Sequence, residues 1–231
     1  MKTYAFSDIH GNYILWKKIQ NYCQPDDIII FLGDAIDRGN DGIKIMQEMF
    51  LDPRIIYLKG NHEDLFLSYI KNLPLAYKQD FNLIVDNQSL KTLKSFERLS
   101  PEEQLELISN LKKTYIKYLY INKDNKKIYL SHSGYDMKDL LKEDEPTFIW
   151  NRDHLKTNIW DEKTYPDSYI VHGHTPVQIL RPDNAEVRIY RYCNQHKIDI
   201  DLACFVSNKI ALLDLDNLKP IYFTTDQAIS A

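Results

Sequence analysis

The stretch from Ile28, IIIFLGDAIDRGN, sets the strongest limit on how this chain can fold. Five apolar residues run without a break, a glycine follows, and then Asp34, Asp37 and Arg38 arrive within a few positions. An unbroken apolar run of this length predicts a strand buried on both faces, as in a sheet covered by helices. The same arrangement recurs through the first seventy residues. KTYAFS and RIIYLKG predict two more strands, and NYILWKKIQNYC places Ile14, Leu15, Ile19 and Tyr22 at helical spacing. DGIKIMQEMF predicts an amphipathic helix, and another starts at HEDLFLSYI. From about Leu75 to Tyr118 the pattern is mostly helical, with Ser100, Pro101 and Glu103 forming a capping-box start. YIKYLYI and KKIYLSH flank NKDN and predict a hairpin. YIVHG, EVRIYRY, HKIDIDLACF, KIALLDLD and PIYFTT then predict a strand-rich remainder. No linker divides the chain, so the expectation is one α/β domain over 1–231 with a helical insertion at about 75–118.

Composition narrows the function classes. The three cysteines, Cys23, Cys193 and Cys204, show no CxxC spacing, which argues against a disulfide framework or a thiolate zinc site. A formal net charge of −4 argues against a nucleic-acid partner, since neutralising phosphates takes a basic face. It leaves a phosphorylated substrate open, because bound metal ions supply positive charge that the count omits. No apolar run approaches the roughly 20 residues that span a bilayer. The N-terminal MKTYAFSDIHGN has no secretory pattern, so the expected location is the cytoplasm.

The residues just past each strand carry the chemistry. SDIHGN supplies Asp8 and His10, GDAIDRG supplies Asp34, Asp37 and Arg38, and KGNHED supplies Asn61, His62 and Glu63. LSHSG supplies His132, and HGHTP supplies His172 and His174. Ligands gather at the carboxyl ends of strands in open α/β sheets. A lone Asp there is usually a turn residue or helix cap. Aspartate, asparagine and histidine converging from five strands are a different matter. Oxygen and imidazole donors without cysteine suit manganese, iron or zinc. Two such ions roughly 3.5–4 Å apart clamp an in-line displacement at phosphorus. On that reading a rigid strand end holds Asp34 between two cations.

The series D8-I-H10-G, G-D34-A-I-D37-R38-G, G-N61-H62-E63, H132 and G-H174-T resembles the calcineurin-like metallophosphoesterases, specifically their phosphoprotein phosphatase branch, in a compact bacterial or phage form. The resemblance implies an αββα sandwich of two mixed sheets flanked by helices. It implies that Asp8 and His10 bind one metal, that Asp34 bridges, and that Asn61, His132 and His174 bind the second. Two divalent ions are implied, manganese first, with iron or zinc as alternatives. A metal-held hydroxide would attack phosphorus directly, His62 would protonate the leaving oxygen, and Asp37 would orient that imidazole. Arg38 would grip phosphate oxygens, and Arg152 in FIWNRDH is assigned the same task. Glu63 is read as supporting the site rather than reacting. His172 stays outside the ligand set, and His154 and His196 read as structural or surface residues. Relatives often read IDTG followed by a glycine-rich turn where this chain has IDIDLACFVSN, so a different turn is expected there.

The leading expectation is a phosphomonoesterase acting on phosphoserine or phosphothreonine, its partner a phosphorylated protein or peptide. The alternative within the same scaffold is a symmetrical dinucleoside tetraphosphate hydrolase. Asp37 is the discriminating residue, since those hydrolases tend to lack that carboxylate. A non-catalytic phospho-binding module would show lost ligands, and the full set is present. A metallonuclease would show a G-H-x-H ending, whereas Gly173-His174 runs on into Thr175-Pro176. The oligomeric state is not legible.

Overall fold

The computed structural model describes residues 1–72, 89–142, 144–157, 159–181 and 186–226. The part of the expected helical insertion at 75–88 lies outside the described residues.

Strands with apolar side chains on both faces need cover on both, and the architecture supplies it. β1 (Thr3–Phe6), β2 (Ile28–Phe31) and β3 (Ile55–Tyr57) pair in parallel, with Ala5 opposite Ile30 and Ile30 opposite Ile56. β9 (Lys209–Asp214) pairs antiparallel with β1, and β10 (Lys219–Thr224) antiparallel with β9. The sheet order is β10-β9-β1-β2-β3. A second mixed sheet contains β4 (Lys117–Ile121), β5 (Lys127–Ser131), β6 (Ser168–His172), β7 (Tyr190–Tyr192) and β8 (Lys197–Asp199) in the order β4-β5-β6-β8-β7. Its three central strands are parallel and its two edge strands antiparallel.

The period-2 alternation of each strand sorts its side chains between two cores. Phe6, Ile29 and Phe31 pack with Leu15, Trp16 and Ile19 of α1 (Tyr13–Tyr22) and Ile45, Met46 and Met49 of α2 (Gly42–Leu51). Ala5, Ile30 and Leu32 point the other way, onto Ile128, Leu130, Val171 and Ile198 of the second sheet. Beyond that sheet, Ile170 packs with Tyr135 and with Phe148 and Ile149 of the short helix α6 (Glu145–Ile149). These are the helix, sheet, sheet and helix layers of the expected sandwich. Each fully buried side chain of this size contributes about 1.5–3 kcal/mol.

Helix α3 (Asn61–Asn72) follows β3, and α4 (Ser89–Glu97) and α5 (Pro101–Leu111) precede β4. The capping box forms as expected, with Glu103 N–H donating to Ser100 Oγ at 3.2 Å and Ser100 N–H to Glu103 Oε2 at 2.7 Å. Helix α7 (Val177–Leu180) follows the His174 loop.

Where the sequence suggested one strand through HKIDIDLACF, the chain stops at Asp199 and turns. Asp199 Oδ1 accepts from Asp201 N–H at 2.9 Å, and Asp201 Oδ1 from Ala203 N–H at 2.7 Å. Such aspartate turns divert the backbone from ladder pairing. The one-turn helix α8 (Cys204–Ser207) comes next, bracketed by Ala203 (φ 51°) and Asn208 (φ 53°), both left-handed without being glycine. All three cysteines are buried free thiols. Among the described residues, no helix is long and apolar enough to cross a membrane.

Candidate active site

Loops leaving β1, β2, β5 and β6, together with the start of α3, bring the acidic and imidazole side chains to one end of the sandwich. Several of them adopt the left-handed conformation that non-glycine residues rarely take: Asp8, His10, Asp34, Asp37, Arg38 and His174 all have positive φ. Strain of this kind persists where surrounding structure over-determines it, and it clusters at functional sites. Two glycines make the fit possible. A side chain at Gly60 would strike the Asp34 carboxylate, and one at Gly173 would strike Asp8 and Ser7.

Asp34 stands at the centre. Its Oδ1 lies 3.4 Å from His132 Nε2, and its Oδ2 lies 3.7 Å from both His10 Nε2 and His62 Nε2. Asp8, Asp34 and His132 bring donor atoms within 4.8 Å of one another, and so do His10, Asp34 and His62. The second grouping includes His62, which the resemblance assigns to proton transfer, and the first joins Asp8 to His132 across the two assigned metal positions. Asn61 Oδ1 completes the convergence, 2.9 Å from His132 Nε2 and 2.8 Å from His174 Nδ1.

The outer hydrogen bonds set the tautomers. His10 Nδ1 donates to Ile36 O at 2.8 Å and His132 Nδ1 donates to Leu32 O at 2.8 Å. The Nε2 of each ring is thereby aimed inward. Burial opposes the charged form of His132, but Asp34 and the neighbouring carboxylates outweigh it and raise its pKa to about 9, so in the metal-free fold this ring carries a proton. The Nε2 atoms of His10 and His174 are buried and have no hydrogen-bond partner. Burial, aided by neighbouring positive groups, lowers the pKa of His10 to about 3 and of His174 to about 2, so both rings are neutral. Burial alone would raise Asp34, but His132 and the other imidazoles draw it well below the ordinary carboxylate range. Asp8 is pushed up by burial, against His132 and reinforced by the Asp34 charge. The buried carboxylates, amide oxygen and imidazole nitrogens gathered here are a set that divalent cations fit.

Several residues that hold the site left no sign of that part in the sequence, and one that did performs it. Glu63, fully buried, accepts from the backbone N–H groups of Asp34 (2.9 Å), Ala35 (2.7 Å) and Gly60 (2.9 Å), and from Tyr57 Oη. It thus locks the loop that presents Asp34, the supporting part expected of it. Asp37 Oδ2 lies 2.6 Å from His62 Nδ1, while its Oδ1 accepts from Thr92 Oγ1 at 2.7 Å. Ser89 Oγ also donates to Asp37, so α4 steadies this carboxylate from another segment. Cys204 Sγ donates to Asp8 O and Ile9 O at 3.1 and 3.2 Å. Ser7 Oγ donates to the Asp8 carboxylate. For Ser89 and Thr92, only the helix propensity of their segment is legible in the sequence.

Arg152 Nε donates to Thr175 Oγ1 at 3.1 Å, beside His174, while the neighbouring Asp153 pairs with Lys156. The Arg38 guanidinium carbon lies 4.9 Å from the Phe205 ring centroid. His172 is bound within the fold, to Gly173 O and to Tyr192 Oη at 2.7 Å. His196 stacks between Trp160 and Tyr169.

His154 is fully buried, its Nε2 donating to Ser133 O at 2.6 Å, and burial lowers its pKa to about 3. The unfolded chain takes up this proton near the ordinary 6.5, so His154 lends stability that is complete above pH 6.5 and is lost as pH falls toward 3. The slope is about 1.4 kcal/mol per pH unit. In urea unfolding of metal-stripped protein, wild type should lose about 2 kcal/mol more than His154→Gln between pH 7 and pH 5. Parallel losses would show that the ring is protonated in the fold.

The sequence of this site aligns with curated proteins. A bis(5'-nucleosyl)-tetraphosphatase PrpE [asymmetrical] from Oceanobacillus iheyensis is 28% identical over 202 residues, covering 79% of this chain and 71% of its own length. A symmetrical bis(5'-nucleosyl)-tetraphosphatase from Wigglesworthia glossinidia brevipalpis is 32% identical over 150 residues, covering 61% of this chain. The alignment spans only 49% of that relative. A metallophosphoesterase from Sphaerobacter thermophilus shares the fold with a TM-score of 0.58 at 13% identity, over 97% of this chain and 87% of its own.

These names overturn the expectation of a serine/threonine phosphatase whose partner is a phosphorylated protein or peptide. The physical reason lies in Asp37, on which that choice of branch rested. Its carboxylate is buried and hydrogen-bonded to His62, Thr92 and Ser89, so it is turned inward and away from anything a phosphate would bear. The family model for the calcineurin-like phosphoesterases matches residues 1–205. This chain therefore belongs to the calcineurin-like phosphoesterase family and is a metallophosphoesterase.

Proposed function

We propose that this protein hydrolyses bis(5'-nucleosyl) tetraphosphates at a dinuclear metal site. The observation that carries the reading is the alignment, over most of the chain, with relatives named for that activity. Asp8, His10 and Asp34 would hold one divalent ion, and Asp34, Asn61, His132 and His174 the second. When bound, such ions lower the pKa of water and polarise phosphoryl oxygens.

The chain's own residues do the rest. Arg38 and Arg152 hold phosphate oxygens of the polyphosphate bridge, for which planar guanidinium groups are suited. Glu63 and the left-handed turns fix the carboxylates before substrate arrives, which removes reorganisation from the reaction. Hydrolysis adds water across one P–O–P link: one phosphate gains the hydroxyl, and the leaving phosphate gains the proton. His62 would supply that proton from Nε2, a role supported by the hold of Asp37 on its Nδ1–H.

The test is nucleotide release from diadenosine tetraphosphate by metal-stripped protein, with and without added manganese. Metal-dependent cleavage is expected. Two ADP would mark cleavage of the central link, and ATP with AMP an outer one. Manganese-dependent hydrolysis of p-nitrophenyl phosphate with the dinucleotide left intact would refute the reading.

A further inference from the structure

A dinucleotide substrate carries bases as well as phosphates, and a positive charge that grips phosphate does not by itself recognise a base. We propose that Phe205, with the Arg38 guanidinium over its ring, forms a platform on which one nucleobase of the substrate lies. The inference rests on the dinucleotide reading above.

Four observations converge on this aromatic ring. Phe205 is 43% exposed although it is a large apolar side chain, and Val206 beside it is 68% exposed. The outward position is fixed rather than loose: α8 is pinned between left-handed Ala203 and Asn208. Beneath the ring, Cys204 is buried and donates its thiol to the carbonyls of Asp8 and Ile9, so the platform is tied to the first metal-binding loop. The Arg38 guanidinium sits over the Phe205 face, 4.9 Å from its centroid.

An aromatic ring and a guanidinium in contact are the two kinds of side-chain surface on which nucleobases lie most readily. Arg38 also carries the charge that would meet the adjoining phosphates, so base and polyphosphate are engaged from one place. Ordinary burial does not account for the arrangement. A residue recruited only to fill the core would not be held outward by two strained backbone positions.

The test compares wild type, Phe205→Ala and Phe205→Trp on diadenosine tetraphosphate and on inorganic tetrapolyphosphate, which has the phosphates without the bases. Phe205→Ala should lower the ratio of the two kcat/KM values about tenfold or more, the loss expected of one base stack. Phe205→Trp should restore the ratio. Equal losses on both substrates would reduce Phe205 to a support for Arg38 and overturn the proposal, as would no loss on either. Titration of metal-stripped protein with ADP and with pyrophosphate gives a readout independent of turnover. Wild type should bind ADP more tightly than pyrophosphate, and Phe205→Ala should close that gap. Wild type binding both equally would also overturn the platform. If wild type leaves the dinucleotide intact while ADP binding still depends on Phe205, the hydrolase reading fails and the platform stands.

Discussion

Asp34→Asn is expected to abolish stable loading of both metals and to lower kcat by more than about 10³-fold, beyond the 10–100-fold that loss of an outer hydrogen-bond partner costs. The size of the effect comes from position. One carboxylate faces His132 through Oδ1 and both His10 and His62 through Oδ2, so removing its charge weakens both candidate metal positions at once. Asparagine is the informative replacement. It keeps the volume, tolerates the left-handed backbone at φ 65°, and leaves the N–H free to donate to Glu63. Unchanged circular dichroism together with lost metal, counted by elemental analysis, would place the defect in ligation rather than folding. An Asn variant that retains two metals per chain and a tenth of the activity would remove Asp34 from the bridging position.

The apolar run of β2 announced a strand buried on both faces, and the sandwich buries β1 and β2 so, while Ile55 and Ile56 of the edge strand β3 are partly buried. The clustering of Asp8, His10, Asp34, Asn61, His132 and His174 was legible because strand ends converge in such folds, and because the residue types share one chemistry. Other features left no local trace. The left-handed turns fall on aspartate, histidine and arginine, where sequence signals point to the glycines alongside. Two partners of Asp37 lie on α4, with Ser89 lying 52 positions along the chain and Thr92 55. The diversion after β8 depends on Asp199 and Asp201 folding back on the backbone, whereas the residues themselves alternate as a strand would. Substrate identity was hardest, because a metal site and a positive charge recognise phosphate whatever it bears. Asp37 looked like a discriminator, yet it faces inward.

His62→Gln should keep both metals and lower kcat on diadenosine tetraphosphate by about 10²-fold, the low end of what a general acid contributes. Asp37 Oδ2 accepts from His62 Nδ1 at 2.6 Å, and Thr92 and Ser89 hold that carboxylate in turn. Burial opposes the imidazolium, but Asp34 and Asp37 outweigh it and raise the His62 pKa to about 9. The ring therefore carries its proton at neutral pH in the metal-free fold. Proton donation matters in proportion to the basicity of the leaving oxygen. A departing nucleotide phosphate has a second pKa of about 6 and needs little help, whereas an alkoxide needs a full proton. The loss should accordingly grow from the dinucleotide, through aryl phosphates, to simple alkyl phosphates, toward about 10⁴-fold. Asp37→Asn should reproduce the same gradient at smaller amplitude, since it disturbs the tautomer without removing the ring. A loss that ignores the leaving group would deny His62 its role as acid. Loss of one metal equivalent in His62→Gln would make it a ligand instead, as its position beside His10 and Asp34 allows.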